Sequence, residues 1–393
     1  MRTEKMRLLF ICNEYPPADH GGIGTFVFTL GRNLAADGIH VEVIGLDRKQ
    51  LKTRRQMEQG VWVTRLAPPL RGRRLLQWGR YDVAEQLLER MYLSKMAKNL
   101  CFQQNIDLVE SYDWSGPIWF HPGCRLLVRM HGAHSAHALY EGRRSLRFVA
   151  YAEKKNLKMA DALIGVSRHI SELTLRAARL GNKDFQVIHN GVDTSTFFPK
   201  NDLIRSENEV LFVGTVNRRK GIYEFFAAIP FVLEAVPHAK FTVIGRLPAT
   251  DLDRKKLIDE LYSFVPADRR GAITFTDVRP YEEMPSRYCR AACAVFPSLA
   301  EAFGLTCVEA MACGTPVVMT SRASGPEIVE DGVSGILCEP ADSQKLANAI
   351  ITLLKDRALR VYLSKNAVEK VSRDFDIRRQ IKANLQFYSG VIS

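Results

Sequence analysis

Short apolar runs alternate with segments whose apolar side chains recur every third or fourth residue. In the first half the runs fall at 7–12, 41–46, 61–66, 108–111, 126–130, 162–166 and 186–189. Between them, 25–37, 81–103 and 145–159 carry helical spacing. Strands that alternate with helices predict a parallel sheet covered on both faces. The alternation then begins again. Strands are predicted at 210–214, 240–245, 272–276, 294–297, 316–320 and 335–338, and helices at 223–235, 252–264, 305–313 and 343–354. Residues 190–208 separate the two series and hold Asn-Gly, Asp, Pro and several charges, a turn-rich connector. The pattern therefore predicts an α/β protein of two doubly wound domains, 1–195 and 196–375. They would face each other across a cleft, with ligands at the carboxyl ends of the strands. A last helix, 377–388 within a tail of 376–393, is expected to pack back on the first domain.

Length and composition fit this picture. The chain has 393 residues, 46% hydrophobic and 25% charged, as in ordinary globular domains. No apolar run reaches the roughly 18 residues of a membrane span, and the N-terminus does not read as a signal peptide. Eight cysteines without a CxxC pair suggest a reducing cytoplasm and no structural zinc. The formal net charge of +12 is unevenly spread: residues 1–193 carry 29 Lys/Arg against 19 Asp/Glu, and residues 194–393 carry 26 against 24. A basic first half implies an anionic partner. No basic stretch is interleaved with aromatics, which argues against nucleic acid. The excess concentrates in Arg71, Arg73 and Arg74 beside Leu75, Leu76 and Trp78. A second concentration is Arg143, Arg144, Arg147, Lys154, Lys155 and Lys158 beside Leu146, Phe148 and Val149. If those apolar residues are exposed, both clusters suit an anionic membrane surface. If they turn inward, the clusters are a solvated basic face.

Three segments carry candidate chemistry. Strand 7–12 runs into Tyr15-Pro16-Pro17 and then Gly21-Gly22-Ile23-Gly24, where a ligand could approach the backbone at a helix start. As a dinucleotide fingerprint this is poor, and a tight turn alone would explain it. Strand 210–214 is followed by Arg218-Arg219-Lys220-Gly221, three adjacent cations that could hold a diphosphate or lie solvated on a surface turn. Most informative is the segment Glu301 to Pro316. Glu301 precedes a predicted helix and Glu309 lies within it, about two turns on. The amides of Phe303, Gly304 and Leu305 at the helix start could grip a phosphate. Glu309 sits among apolar residues, where an idle carboxylate is costly, and a carboxylate can take two vicinal hydroxyls.

With these residues together, the chain resembles the family 4 retaining glycosyltransferases over essentially its whole length. Glu301 and Glu309 match that family's E-x7-E motif, and residues 15–24 match its first loop. His189-Asn190-Gly191-Val192-Asp193 with Phe197 and Pro199 matches its N-G-V-D signature. Ser324-Gly325-Pro326-Glu327 with Gly332 and Gly335 matches its closing segment. The resemblance implies the GT-B fold of two Rossmann-like domains and a metal-independent transfer from a nucleotide-sugar donor, UDP-sugar favoured, with no cofactor. It places Lys220 and a neighbouring arginine, Arg218 or Arg219, on the diphosphate, Glu309 on the ribose and Glu301 on the donor sugar. His131 would contact the transferred sugar and Gly22 the donor. The acceptor would be a glycan or lipid-linked hydroxyl, and the location cytoplasmic, peripheral on the membrane's inner face if the basic clusters bind lipid. Two departures stand out: Thr215 replaces the family's usual arginine, and Thr276-Asp277-Val278 lacks the glycine common in its base-reading loop. A GT-B nucleotide-sugar epimerase or a non-catalytic nucleotide-sugar binding protein would share this architecture. A dehydrogenase is disfavoured by the weak glycine fingerprint.

Overall fold

The computed structural model describes residues 6–17, 21–69, 83–200 and 202–393. The basic cluster at 71–78 lies outside the described residues. Two compact units are present, one formed by 1–189 with 380–393 and one by 190–379.

The first unit runs β1 (Arg7–Ile11), α1 (Gly22–Ala36), β2 (His40–Leu46), β3 (Arg54–Glu58), β4 (Val61–Leu66), α2 (Val83–Gln104), β5 (Leu108–Tyr112) and β6 (Arg125–Met130). It continues with α3 (His134–Tyr140), α4 (Arg147–Met159), β7 (Ala162–Gly165), α5 (Arg168–Ala177) and β8 (Gln186–Val187). The sheet order is β3-β4-β2-β1-β5-β6-β7-β8. Every pairing is parallel except β3 with β4. Central strands such as Leu8–Ile11 are buried on both faces, which is why they read as unbroken apolar runs. Strand β3 is absent from the hydropathy pattern because its residues, Arg-Arg-Gln-Met-Glu, are mostly exposed. It exists because Gln59 and Gly60 both take positive φ, a two-residue hairpin turn that folds an edge strand back on β4.

The second unit runs β9 (Glu209–Val213), α6 (Ile222–Ala235), β10 (Lys240–Ile244), α7 (Asp251–Tyr262), β11 (Ile273–Thr276), α8 (Met284–Arg290) and β12 (Cys293–Phe296). Then come α9 (Leu305–Ala312), β13 (Val317–Thr320), α10 (Gly325–Ile328), β14 (Ile336–Cys338), α11 (Ser343–Lys355) and α12 (Arg357–Asp374). Its sheet is parallel throughout, in the order β11-β10-β9-β12-β13-β14. Helix α6 packs Phe225, Phe226 and Ile229 against Phe212 and Phe241 of the sheet, with α11 beside it.

Five helices lie outside the segments predicted from spacing: α3, α5, α8, α10 and α12. Helix α5 is set by a cap, Ser167 Oγ accepting the Ile170 amide at 3.2 Å, and α12 by Asp356 Oδ1 accepting the Leu359 amide at 2.8 Å. The last helix, α13 (Ile377–Ile392), is tied to the first unit by a buried polar cluster. Arg129 of β6 donates from Nε to Glu110 Oε1 at 2.6 Å and from its guanidinium to Asn384, while the Tyr388 hydroxyl donates to Glu110. Arg129 is wholly buried, so losing Glu110 would leave its charge without compensation.

Candidate functional site

The second unit assembles its site at the carboxyl ends of β9 and β12. After β9 the chain makes a 3-10 turn, Arg218–Lys220, whose Asn217 side chain accepts the Lys220 amide at 3.1 Å. Gly221 ends the turn with φ +74°, and a Cβ there would stand 2.0 Å from the Pro297 carbonyl oxygen. Only glycine lets the turn lie this close to the end of β12. The Arg219 carbonyl then accepts the Leu299 amide at 2.8 Å, joining the two loops.

That junction brings Lys220 onto Glu301. Lys220 Nζ donates to Glu301 Oε2 at 2.6 Å, and Ser298 Oγ donates to the same oxygen at 3.1 Å. The two side chains are 20% and 11% exposed. Burial raises the Glu301 pKa, but Lys220, with Arg219 and Ser298, outweighs it and holds the carboxyl below its usual value. The two arginines differ. Arg219 contributes to the field on Glu301, whereas Arg218 is exposed and stacks over the Tyr223 ring at 5.7 Å.

Three residues on, Gly304 takes φ +101° and lets α9 start at Leu305. A Cβ at Gly304 would meet Met319 Cε at 2.9 Å. Phe303 is buried against Phe375, and its carbonyl accepts from Ser324 Oγ at 2.8 Å. Glu309 sits within α9, buried, accepting from the Tyr288 hydroxyl at 3.1 Å. Burial pushes its pKa up to about 7, against a smaller lowering by Tyr288. Glu301 and Glu309 thus have separate partners and opposite shifts.

His131 and Gly22 belong to the first unit. His131 follows β6, half-buried, its ring edge-to-face with Phe26 of α1 at 5.2 Å. Asp113, buried at the end of β5, accepts the amides of His131 at 2.9 Å and Gly132 at 3.1 Å. Burial raises the Asp113 pKa to about 7 despite these bonds. Burial, then the Arg129 charge, lowers His131 to about 3, so its ring is neutral at physiological pH. Gly22 begins α1, and a Cβ there would meet no atom within 4 Å, so packing alone does not require glycine.

Asp113, Ser298 and Tyr288 were not singled out in the sequence. The available signal was weak: Asp113 and Ser298 each follow a strand, but Tyr288 lies on a short helix that shows no pattern. The α4 cluster divides between the two readings: Val149 is buried and Phe148 stacks on Trp119 at 5.9 Å, while Leu146 is exposed.

Two family models divide the chain. Glycosyltransferase Family 4 matches residues 20–196, and Glycosyl transferases group 1 matches residues 193–370. The chain is a family 4, group 1 glycosyltransferase. Glycogen synthase of Mycobacterium tuberculosis is 28% identical over 98% of this chain and 94% of its own length. Sucrose-phosphate synthase from Thermosynechococcus elongatus has a TM-score of 0.81 at 25% identity, covering 98% of this chain and 99% of that one. Anabaena HepE, solved with UDP and glucose, has a TM-score of 0.74 at 20% identity, covering 98% and 100%. The enzyme is thus a transferase acting on sugar donors, in the two-domain GT-B fold. No helix among the described residues is long and apolar enough to cross a membrane.

Proposed function

We propose that this glycosyltransferase moves a hexose from a nucleoside diphosphate sugar, UDP-sugar favoured, to a hydroxyl of a glycan or lipid-linked acceptor, with retention at the anomeric carbon. The observation that carries the reading is the Lys220–Glu301 pair, a cation and a carboxylate meeting at the carboxyl ends of two adjacent strands beside the start of α9. A donor diphosphate would take Lys220 from Glu301, with Arg219 as the second cation. Arg218, turned onto Tyr223, is the weaker candidate. Glu301, released, would accept hydroxyls of the donor sugar. Glu309 would take the ribose hydroxyls, and the α9-start amides of Phe303, Gly304 and Leu305 a phosphate oxygen.

In the transfer, the bond from the anomeric carbon to the diphosphate oxygen breaks. The acceptor oxygen bonds to that carbon on the same face, and its proton passes to the departing diphosphate. Lys220 and Arg219 stabilise the charge that develops there, the part a divalent ion plays elsewhere. Neutral His131, held by Asp113, would hydrogen-bond the transferred sugar, and Gly22 would let backbone approach the donor. The test is a panel of nucleotide sugars in excess EDTA, read by slow donor hydrolysis and by melting temperature. One UDP-sugar should be hydrolysed and should stabilise the protein with chelator present. Activity lost to EDTA and restored by manganese would refute the metal-independent mechanism.

A further inference from the structure

Helix α2 buries Leu93, Ala97, Leu100 and Cys101 in the first unit's core. Its other flank meets the loop between β5 and β6, where the Trp119 and Phe120 amides donate to Ser94 Oγ at 2.6 and 3.2 Å. Between helix and loop lies a groove of about 530 Å³, lined by Leu88, Met91, Tyr92, Lys95, Lys98 and Phe120. Residues 88, 91, 92 and 95 form one stripe of the helix. Leu88 and Phe120 are 43% and 48% exposed, and Phe102, one turn beyond Lys98, is 86% exposed. Among the described residues, neither Lys95 nor Lys98 forms an ion pair. The groove therefore offers hydrocarbon walls along one stretch and, along the next, two ammonium groups without an ion-pair partner among the described residues.

We propose that this flank docks on an anionic lipid bilayer, with one acyl chain entering the groove and its phosphate meeting Lys95 and Lys98. The same loop extends the face toward α4. Trp119 stacks on Phe148 and lies 5.8 Å from Tyr151, and Lys155 Nζ sits 5.0 Å over the Trp119 ring. Exposed Leu146 stands beside exposed Arg144 and Arg147 at the start of α4. Aromatic rings flanked by cations suit the headgroup layer, where bulk hydrocarbon and anionic charge lie within a few ångströms. Charge complementarity favours lipid over a neutral apolar partner. The inference rests on none of the donor-site assignments.

The test is sedimentation of the full chain with vesicles of phosphatidylglycerol and phosphatidylcholine, and with phosphatidylcholine alone. Binding should require the anionic lipid and fall as salt rises. Lys95→Glu with Lys98→Glu should weaken it about tenfold or more, while Lys255→Glu with Lys256→Glu, on exposed positions of α7 in the other unit, should leave it intact. Leu88→Ser and Phe120→Ser keep the charge and should still weaken binding, which separates chain insertion from diffuse attraction. Far-UV circular dichroism and a cooperative thermal transition of the whole chain check that each variant is folded. No binding to anionic vesicles at low salt would overturn the proposal, as would equal losses from the α7 control. A dimer that Phe120→Ser dissociates, without vesicle binding, would assign the face to a second copy instead.

Discussion

Breaking the Lys220–Glu301 pair should expose how the site stores its charge. At 2.6 Å, and at an effective dielectric of about 20, the mutual attraction is roughly 6 kcal/mol. Desolvation of two side chains only 20% and 11% exposed offsets most of it. The pair as a whole therefore contributes little, but either member alone is expensive. Lys220→Met leaves the Glu301 carboxylate with Ser298 as its closest partner, and Glu301→Gln leaves Lys220 without a counter-charge. Each single variant should lose about 3 kcal/mol in denaturant unfolding of the free protein. The double variant should recover about 2 kcal/mol of the summed losses. With nucleotide the variants should separate. Glu301→Gln should bind UDP at least as tightly as the parent, because the diphosphate no longer competes for Lys220, and should lose turnover. Lys220→Met should bind UDP roughly tenfold to a hundredfold more weakly, the loss of one charged hydrogen bond. Additive losses of stability would refute the coupling. Unchanged turnover in Glu301→Gln would refute the sugar-side role.

Two further predictions follow from the titration shifts. Glu309, raised to about 7 by burial, is protonated in much of the free protein near neutral pH, while ribose hydroxyls need the carboxylate as acceptor. UDP affinity should therefore rise roughly tenfold from pH 6 to pH 8, a slope absent in Glu309→Gln and displaced to higher pH in Tyr288→Phe. The same shift means the free protein gains stability from this group below its unfolded value and loses it as pH rises through about 7. A flat affinity profile in the parent would count against Glu309 as the ribose ligand. Asp113→Asn places an amide nitrogen against one of the two amides that Asp113 now accepts. It should cost about 1–3 kcal/mol and lower turnover with UDP affinity unchanged. Intact turnover would show that Asp113 does not position His131 for the reaction.

Most of the fold was legible in the chain alone, because parallel strands buried on both faces must be apolar throughout and so announce themselves. Every predicted strand is present within a residue or two of its expected bounds. The strand and helices that escaped are mostly short or polar, α5 being ten residues with an apolar face. A two-residue turn makes β3, a side-chain cap starts α5, and α12 is polar along most of its length. The motif residues were legible too, since glycine, paired carboxylates and adjacent cations are unusual residue types for a strand end. Which of them meet was not. Residues 220 and 301 lie far apart in the chain, and their loops are joined by the packing of Gly221 on Pro297 and by the Leu299 amide donating to the Arg219 carbonyl. Three adjacent cations look alike in sequence, and the fold alone turns Arg218 onto Tyr223 while Arg219 and Lys220 face Glu301. The protonation of His131, Asp113 and Glu309 is likewise a tertiary property. It depends on how much water the surrounding side chains exclude and on which charges remain nearby, and neither is encoded at those positions alone.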